Sequence, residues 1–514
     1  MVLIGGQFEM IGLPGVRVNS RSHQTNKSGH AENRTGTEYF FTSKCAVRDT
    51  MGIDAEVAKA ADMIHDQQAV TIISHIDADG ISSEAILSQA LTREGIVTKS
   101  VFVRQLEPLT MHQVPEDRTF KIFTDLGAGQ QNLLLEKGLD SENVLIIDHH
   151  VSQPCATGYF QVNCIPHGLL KLSAAGLAYL VAHRLDPDNC DLAKIAVIGN
   201  VGDMMAREHR GLTGPAREIV DDGVSHGSIL VRPHDLNCYG TSTRPLHVCL
   251  AYMDDPFITG ISNNVHGARR FLKKMDIQGN DGKRDLIWEG LPFPERKKIM
   301  SALVEQLMAN GEPFDRLFCE TYLFPGENEG EPLRNAQEFA TVLNACGRWA
   351  QPGIGSAICR GDRSVAYRDA KKMLSNHRAV IRELLQYILD KGVIEISHLQ
   401  YIHVGNRFPD TIVGIGAGMA LSKLNSGKPI LIMCELPEDP SLIKASMRTT
   451  ERVVARGVDL QEVASRVSTE LGGSGGGHKI AAGAYIPRGS EARFVIRANE
   501  LLGEQHSPES PGHR

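Results

Sequence analysis

The sequence predicts an α/β protein: a parallel-sheet N-terminal lobe with helices on both faces, a partly helical intermediate region, and a smaller α/β C-terminal lobe. Three observations support this fold class. Short apolar runs alternate with helical patterns from about residue 54 to residue 205, which is typical of a parallel sheet with right-handed crossovers. A second alternation begins near residue 394, beyond a long amphipathic helix. At 514 residues, the chain is also too long for a single core.

The elements of the N-terminal lobe follow from its hydrophobic periodicity. Its expected strands are the apolar runs 70–74, 96–103, 120–124 and 144–147. Its expected helices are 54–67, a segment that begins at Ile81, 130–137 and 173–184. The run 192–201 fits either a buried strand or a helix. We favour a helix, with Gly199 and Gly202 presenting Asp203 near its end.

The remaining elements are read in the same way. Helical signals in the intermediate region are separated by Pro- and Gly-rich loops and lie at 267–275, 295–309 and 335–345. A long amphipathic helix at 367–391 fits a connector between the two lobes. The C-terminal lobe is expected to contain strands at 400–404, 429–434, 443–447 and 482–486, with helices at 415–424 and 460–471.

These elements divide the chain into segments. The predicted segments are an N-terminal domain at 52–235, the intermediate region at 236–365, the connector helix at 366–393 and the C-terminal domain at 394–502. Residues 1–50 are polar and lack a sustained period, so we expect a disordered or misassigned N-terminal extension. The polar segment 503–514 is expected to be a disordered tail.

Composition restricts the class of protein. The net charge of −7 argues against a generally basic coat for nucleic acid, although it leaves room for a local basic channel. Ten cysteines include no Cys-x-x-Cys pair, which favours reduced thiols and a cytoplasmic location. No apolar run approaches the ~20 residues of a membrane span, so we expect a soluble protein with no membrane partner.

The first predicted strand ends in a group of side chains that can bind metal ions. His75, Asp77 and Asp79 stand at alternate positions and are followed by Gly80. Ligands of open α/β sheets bind at the carboxyl ends of the strands, and side chains crowded there repel one another unless cations lie among them. Taken alone, however, an Asp-x-Asp-Gly sequence is more often a turn, because Asp and Gly are common turn formers.

Three further segments make a turn an insufficient explanation. Asp125 follows another predicted strand, the triplet Asp148-His149-His150 follows a third, and Asp203 follows the Gly-rich run near 199–202. An isolated Asp-His-His after an apolar strand is hard to explain as loop chemistry. The economical hypothesis is one site for two divalent cations. Carboxylate-rich coordination suits Mn²⁺ or Mg²⁺, and such pairs of ions catalyse displacement at phosphate.

The C-terminal lobe contains a glycine run at 472–477 that ends at His478. We expect this run to be a loop whose exposed backbone N–H groups approach a phosphate or sugar, although a flexible linker is the simpler alternative. Arg448 is either a phosphate contact or a solvated surface charge. The basic clusters at 269–274 and 296–298 are expected to be solvated helix faces.

These motifs resemble those of a known family. His75-x-Asp77-x-Asp79-Gly80, Asp125, Asp148-His149-His150 and Gly202-Asp203 resemble the four motifs of the DHH phosphoesterases. The sequence Gly475-Gly476-Gly477-His478-x-x-Ala481-Ala-Gly483 looks like the signature of their C-terminal DHHA1 substrate-binding domain. Leu343-Asn344-Ala-Cys-Gly-Arg348 is similar to the Asn-Ala-x-Gly-Arg element of RecJ-type exonucleases. The resemblance spans about residues 52–502.

The resemblance implies a role for each position. His75 and Asp77 would hold one metal, Asp79, His149 and Asp203 the other, and Asp125 would bridge them. His150 would face the substrate phosphate, Asp148 would orient the histidines, and Arg348 would stabilise developing charge. Asn344, Arg448, Gly475, Gly476, Gly477 and His478 would bind substrate. Related pyrophosphatases place a histidine four residues before the first aspartate, where this chain has Ile73. His75 therefore either replaces that ligand or binds loosely.

The function that the resemblance implies is a RecJ-like exonuclease that hydrolyses single-stranded DNA or RNA from an end. It would use two divalent cations, with Mn²⁺ preferred and Mg²⁺ possible, and the length of the chain looks most like the archaeal GINS-associated nuclease type. One alternative is a hydrolase of short oligonucleotides or cyclic dinucleotides. An alternative of another class is a replication scaffold that binds GINS or the replicative helicase. Scaffolds should lose metal ligands, and this chain keeps nearly all of those expected.

Overall fold

The computed structural model describes residues 53–506, apart from 109, 155–157, 170, 276, 278–285 and 438. The expectations for the N-terminal extension at 1–50 and for the end of the tail at 507–514 lie outside the described residues.

A five-stranded parallel sheet forms the centre of the N-terminal lobe, as predicted. Its strands are β1 (Ala69–His75), β2 (Val97–Val103), β3 (Phe120–Thr124), β4 (Val144–Ile147) and β5 (Phe160–Val162). They are ordered β2-β1-β3-β4-β5. The short β5 was not predicted, because it contributes three residues, of which only Val162 is fully buried.

Helices cover both faces of this sheet. They are α1 (Asp54–His65), α2 (Ala78–Arg93), α3 (Gln131–Glu136), α4 (Ala174–Leu185), α5 (Ala193–Gly202) and α6 (Pro215–Ser225). Neighbouring strand residues point to opposite faces: Ile72 packs among residues of α1, α2 and α4, whereas Ile73 packs with Leu134 of α3. The prediction of a helix at 192–201 is confirmed by α5.

The parallel register places the predicted metal-binding segments at one edge of the sheet. Ser74 of β1 is paired with Thr124 of β3, and Thr124 is paired with Ile147 of β4. The residues that follow these three strands therefore leave the sheet side by side. Asp125 and Asp148 are the first of them after β3 and β4, and His75, at the same level, is the last residue of β1.

The intermediate region contains helices together with a small sheet. Its elements are β6 (Leu230–Leu236), α7 (Leu246–Tyr252), α8 (Val265–Lys274), α9 (Phe293–Ala309), β7 (Phe318–Leu323), α10 (Ala336–Arg348) and α11 (Pro352–Cys359). The three predicted helices correspond to α8, α9 and α10. The antiparallel β6–β7 pair, α7 and α11 were not predicted. A separate core surrounds the buried Trp288, whereas α10 packs into the core of the N-terminal lobe.

The connector helix α12 (Val365–Lys391) leads into the C-terminal lobe. The lobe consists of β8 (Ile394–Glu395), β9 (Gln400–His403), α13 (Asp410–Leu421), β10 (Ile430–Glu435), β11 (Leu442–Arg448), α14 (Glu451–Val454), α15 (Leu460–Glu470), β12 (Ser474–His478), β13 (Ala481–Pro487) and α16 (Glu491–His506). The strands of this sheet are ordered β12-β13-β11-β10-β9-β8. Within the described part of this sheet, β9 and β10 are the one pair of neighbours that run parallel. Separate apolar clusters cover its two faces.

Three expectations for the C-terminal lobe are wrong. The glycine run is not a loop, because residues 474–478 pair with β13 as an edge strand. The helix expected from residue 415 begins at Asp410, behind Pro409. The tail does not begin at 503, because α16 continues to His506 and buries Leu501 and Leu502. Among the described residues, no helix is both long and apolar enough to cross a membrane.

Candidate active site

The turn between β1 and α2 carries the first group of predicted ligands. Asp77 caps α2: its Oδ1 accepts hydrogen bonds from the backbone N–H groups of Asp79 at 3.1 Å and Gly80 at 3.0 Å. A Cβ atom at Gly80 would lie 2.4 Å from the carbonyl oxygen of His75. Only glycine therefore allows the helix to begin so close to the end of the strand. His75 Nδ1 lies 3.2 Å from Asp77 Oδ1.

Asp79 is buried at the N terminus of α4. Its Oδ2 accepts the N–H of Ala174 at 2.8 Å, and its Oδ1 accepts the N–H of Ala175 at 2.9 Å. The N terminus of a helix favours an anion, because its N–H groups are free and its dipole is positive there. Sequence reasoning missed this support. The signal for it was Ser173, a typical N-cap residue before an Ala-rich helix.

Asp125 lies between two groups of side chains. Its Oδ2 is 3.1 Å from His75 Nδ1, and its Oδ1 is 3.4 Å from His149 Nε2. Its backbone has a φ of 60°, a left-handed conformation that few residues other than glycine adopt. Strained backbone of this kind is often found at functional sites. The two carboxylate oxygens thus face two different histidines.

His149 forms the centre of the second group. Its Nε2 lies 3.4 Å from Asp203 Oδ2 and 3.8 Å from Asp79 Oδ2, and it is buried without a hydrogen-bond partner. Asp203 reaches this position as the C-cap of α5. The structure therefore brings together two ligand sets, His75–Asp77–Asp125 and Asp79–His149–Asp203. They are the two sets that the family resemblance implies, with Asp125 between them.

The electrostatics of this cluster favour bound cations. Burial, and then repulsion by Asp77 and Asp79, raises the pKa of Asp125 well above its usual range. Burial also raises the pKa of Asp203, with further repulsion from Asp79. Cations among the carboxylates would offset that cost. A buried imidazole nitrogen without a partner, facing three carboxylates, fits a divalent metal ion, and the oxygen-rich donor set suits Mg²⁺ or Mn²⁺.

Asp148 and His150 are arranged differently. Asp148 is fully buried, and its Oδ1 lies 2.8 Å from His150 Nδ1 while its Oδ2 accepts the N–H of Ala128 at 3.0 Å. Asp148 nevertheless lies beside the two ligand sets, because ligand atoms of Asp125, Asp148, His149 and His150, one from each residue, all lie within 4.8 Å of one another. Burial opposes a charge on His150, but Asp148 outweighs it and raises the pKa of this histidine. The geometry supports an orienting role for Asp148 toward His150.

The C-terminal lobe meets the cluster at His150. The rings of His150 and His478 are stacked with their centroids 6.5 Å apart. Burial, and then the charge of His150, lowers the pKa of His478. Near this contact, each lobe contributes one half-buried arginine. These are Arg348, at the end of α10, and Arg448, at the end of β11.

The predicted substrate residues do not all have free side chains. Asn344 Oδ1 already accepts the backbone N–H of Ala78 at 3.0 Å. Gly475 faces α15, where a Cβ would lie 2.6 Å from the carbonyl oxygen of Ala464, and Gly477 has a φ of +134°. The fold of the C-terminal lobe therefore requires glycine at both positions, independently of any substrate. Gly476 differs, because a Cβ there would meet nothing within 4 Å.

A parallel sheet whose carboxyl edge carries paired carboxylate–histidine groups fits the class of metal-dependent phosphoesterases. Three family models match the chain: the DHH family N-terminal domain at 69–200, the DHH-CID domain at 238–318 and the DHHA1 domain at 398–504. The chain belongs to the DHH family, with a C-terminal DHHA1 domain.

Three similar proteins cover nearly the whole chain. An uncharacterized protein of Methanocaldococcus jannaschii is 26% identical over 448 residues, which are 85% of this chain and 94% of the relative. A crystal structure of exonuclease RecJ bound to manganese has a TM-score of 0.53 and 16% identity, covering 87% of this chain and 94% of that one. CDC45 from Entamoeba histolytica has a TM-score of 0.59 and 12% identity, covering 88% and 99%. The two structural likenesses establish the fold.

Proposed function

We propose that this protein is a metal-dependent phosphodiesterase that removes nucleotides from an end of single-stranded DNA or RNA. The observation that carries the proposal is the pair Arg348 and Arg448. Both arginines border the same turn of α13: Thr411 donates to the carbonyl oxygen of Arg348 at 3.2 Å, and a Cβ at Gly414 would lie 2.7 Å from Arg448 Nη2.

Burial lowers the pKa of each guanidinium, and the charge of Arg348 lowers the pKa of Arg448 further. Among the described residues, neither forms an ion pair with a carboxylate. Arg448 Nη1 donates to the carbonyl oxygens of Met447 and Ala482, which carry no net charge. Two half-buried like charges therefore favour an anion beside them, and a substrate phosphate meets this requirement.

The proposed ligands are those of the two sets described above: His75, Asp77 and Asp125 for one cation, and Asp79, His149 and Asp203 for the other, with Asp125 shared. We propose Mn²⁺ as the preferred ion and Mg²⁺ as an alternative. Bound divalent cations in such sites make water acidic enough to act as a nucleophile and neutralise charge on the phosphate oxygens. His75 belongs to this set because its Nδ1 lies close to both Asp77 and Asp125.

The chain's own residues supply orientation and charge. Asp148 holds His150 through Nδ1, which leaves Nε2 to face a phosphate between the lobes. Asn163 Nδ2 donates to the carbonyl oxygen of His150 at 2.9 Å and fixes the backbone at the same point. Arg348 and Arg448 stabilise the negative charge that develops on the phosphate oxygens, which is the largest contribution in most phosphoryl transfers.

The decisive assay uses purified protein with Mn²⁺ and single-stranded DNA or RNA labelled at either end. An exonuclease releases mononucleotides in sequence from one end, and the end from which they are lost gives the polarity. The likeness to exonuclease RecJ bound to manganese supports this expectation. Activity that persists in EDTA would contradict the proposed metal dependence.

A hydrolase of short oligonucleotides or cyclic dinucleotides is the second candidate. The close approach of the lobes at His150 and His478 favours it, because a 6.5 Å separation of ring centroids leaves little width beside the cluster. A series of substrates from dinucleotides to long single strands separates the two functions. Increasing kcat/KM with length supports the exonuclease, whereas a maximum at dinucleotides supports the short-substrate hydrolase.

A replication scaffold that binds GINS or the replicative helicase is a candidate of another class. The likeness to CDC45 from Entamoeba histolytica favours it. The retained carboxylates and histidines favour catalysis, since a scaffold has no use for a buried cluster of like charges. A protein that binds Mn²⁺ but hydrolyses no phosphodiester would favour the scaffold.

A further inference from the structure

The last turn of α10 packs directly against the turn between β1 and α2. Asn344 Oδ1 accepts the backbone N–H of Ala78 at 3.0 Å. One helical turn further, a Cβ atom at Gly347 would lie 1.7 Å from the carbonyl oxygen of Ile76. No side chain fits in that space, so glycine is what allows the helix to approach the backbone so closely.

This contact completes the N-terminal cap of α2. The first N–H groups of a helix have no partner within it and need acceptors from elsewhere. Asp77 Oδ1 accepts two of them, those of Asp79 and Gly80. A third, that of Ala78, is donated to Asn344 Oδ1. Ala78 lies between the two carboxylates of the turn, so the bond to Asn344 holds the backbone that carries Asp77 and Asp79.

The same helix also carries Arg348. Asn344 and Arg348 are four residues apart, and side chains at this spacing lie on one face of a helix. Arg348 is close enough to Asp77 for that carboxylate to oppose the lowering of its pKa by burial. A single rigid element therefore connects the turn that carries two predicted metal ligands to the arginine that faces the predicted phosphate.

We propose that Asn344 is a positioning residue that fixes the Asp77–Asp79 turn relative to Arg348, instead of the substrate ligand that its sequence motif implies. This inference rests on the proposed function, because it assigns Asn344 to the same site. Its physical basis is the bond between Asn344 Oδ1 and Ala78 N–H, supported by the close approach that Gly347 permits. Side chains that hold metal ligands in position in this way commonly affect the metal affinity of the site.

Replacing Asn344 by alanine removes the acceptor and leaves the Ala78 N–H without a partner. We expect faster hydrogen exchange at the Ala78 amide and a weaker affinity for Mn²⁺, measured by calorimetry, by roughly tenfold or more. We also expect kcat to fall by a similar factor on a single-stranded polynucleotide and on bis-p-nitrophenyl phosphate, with little change in KM. A loss of positioning affects the chemistry of any substrate.

Two variants control this experiment. Asn335→Ala removes a side-chain acceptor at the opposite end of α10, where Asn335 Oδ1 caps the helix by accepting Gln337 N–H at 2.9 Å. It should lower the melting temperature while leaving Mn²⁺ affinity at the wild-type value. Asn344→Asp keeps an oxygen that can accept the Ala78 N–H, so the exchange rate at Ala78 and the Mn²⁺ affinity should stay near wild type.

Two results would overturn the inference. If Asn344→Ala leaves both Ala78 exchange and Mn²⁺ affinity unchanged, Asn344 does not position the turn, and a loss confined to polynucleotide hydrolysis would then identify it as a substrate ligand. If Asn335→Ala weakens Mn²⁺ binding as much as Asn344→Ala does, the effect is general destabilisation. Both decisions use Mn²⁺ binding without substrate, so they remain valid even if the wild-type protein hydrolyses no nucleic acid and the proposed function is wrong.

Discussion

Gly476 offers a direct test of how the C-terminal lobe holds a substrate. Alternate residues of a strand face opposite sides of a sheet, so Gly476 shares its face with His478, whereas Gly475 faces α15. His478 in turn stacks on His150 of the other lobe. Gly476 therefore faces the cleft, and no packing or backbone requirement within the described residues explains a glycine there.

We predict that Gly476→Val impairs hydrolysis of polynucleotides while preserving the fold. Valine is well suited to an edge strand, and its Cβ would meet nothing within 4 Å. With bond lengths of about 1.5 Å, its methyl groups extend roughly 2.5 Å from Cα. A nucleotide in contact with the glycine backbone must then move by more than ~1 Å, which costs about a hundredfold in rate. This corresponds to ~2.7 kcal/mol of barrier.

The assay compares a single-stranded polynucleotide with bis-p-nitrophenyl phosphate, a small and weakly held substrate that should lose much less activity. Mn²⁺ binding by calorimetry and the melting temperature should stay near wild type. Gly326→Val is the matched control, because a Cβ at this exposed position also meets nothing within 4 Å. Equal losses on both substrates, or lost Mn²⁺ binding, would show that Gly476 supports the fold of the site and would refute this reasoning.

Three other predictions concern the metal ligands, Arg448 and an ion pair between the two lobes. EDTA should abolish activity, and added Mn²⁺ should restore it. Asp125→Ala should be the most damaging ligand change, because the two carboxylate oxygens of Asp125 face His75 and His149. Full activity of this variant would contradict a shared ligand. Arg448→Ala should raise KM for polynucleotide and leave Mn²⁺ affinity unchanged in calorimetry. Arg104→Ala removes the ion pair between Arg104, directly after β2, and Asp410 of α13, which also lies 3.3 Å from Lys444. The melting temperature should therefore fall by a few degrees in calorimetric scans, and an unchanged value would mean that the ion pair contributes nothing.

The sheet and its metal-binding edge were predictable because their signals are local. Buried parallel strands are continuous apolar runs, and the strand at 120–124 was predicted with the bounds that the structure shows. Parallel pairing then requires their carboxyl ends to meet, which places Asp125 and Asp148 beside His75 without further information. Asp203 was also placed correctly, because Gly199 and Gly202 marked the end of a helix.

The parts that sequence reasoning missed depend on partners distant in the chain. The glycine run has the composition of a loop, and it becomes strand β12 only because β13 supplies its backbone partners. Strand β6 contains Pro233 and several polar residues, and its partner β7 lies beyond three helices. The bond from Ala78 to Asn344 likewise joins residues 266 positions apart, and no local pattern reveals it.

The N-terminal lobe carries the predicted metal ligands, and the C-terminal lobe carries Arg448. The position of α10 decides to which of the two lobes Arg348 belongs. Its last residues contact both lobes: the carbonyl oxygen of Arg348 accepts a hydrogen bond from Thr411 at 3.2 Å, and Trp349 packs against the core of the C-terminal lobe. Asn344, however, ties the helix to the turn that carries Asp77. Arg348 is therefore held in a fixed position relative to the metal ligands, whereas Arg448 is part of the C-terminal lobe.

Arg348 and Arg448 belong to different lobes, so any closing of the lobes on a substrate would bring these two like charges together. Without a phosphate their repulsion opposes closure, and with a phosphate between them both contacts become attractive. We therefore expect the substrate itself to supply free energy for closure. A ligand can shift such an equilibrium only by its differential affinity for the closed state. The arrangement of Arg348 and Arg448 on separate lobes provides that difference, because only the closed cleft allows one phosphate to contact both.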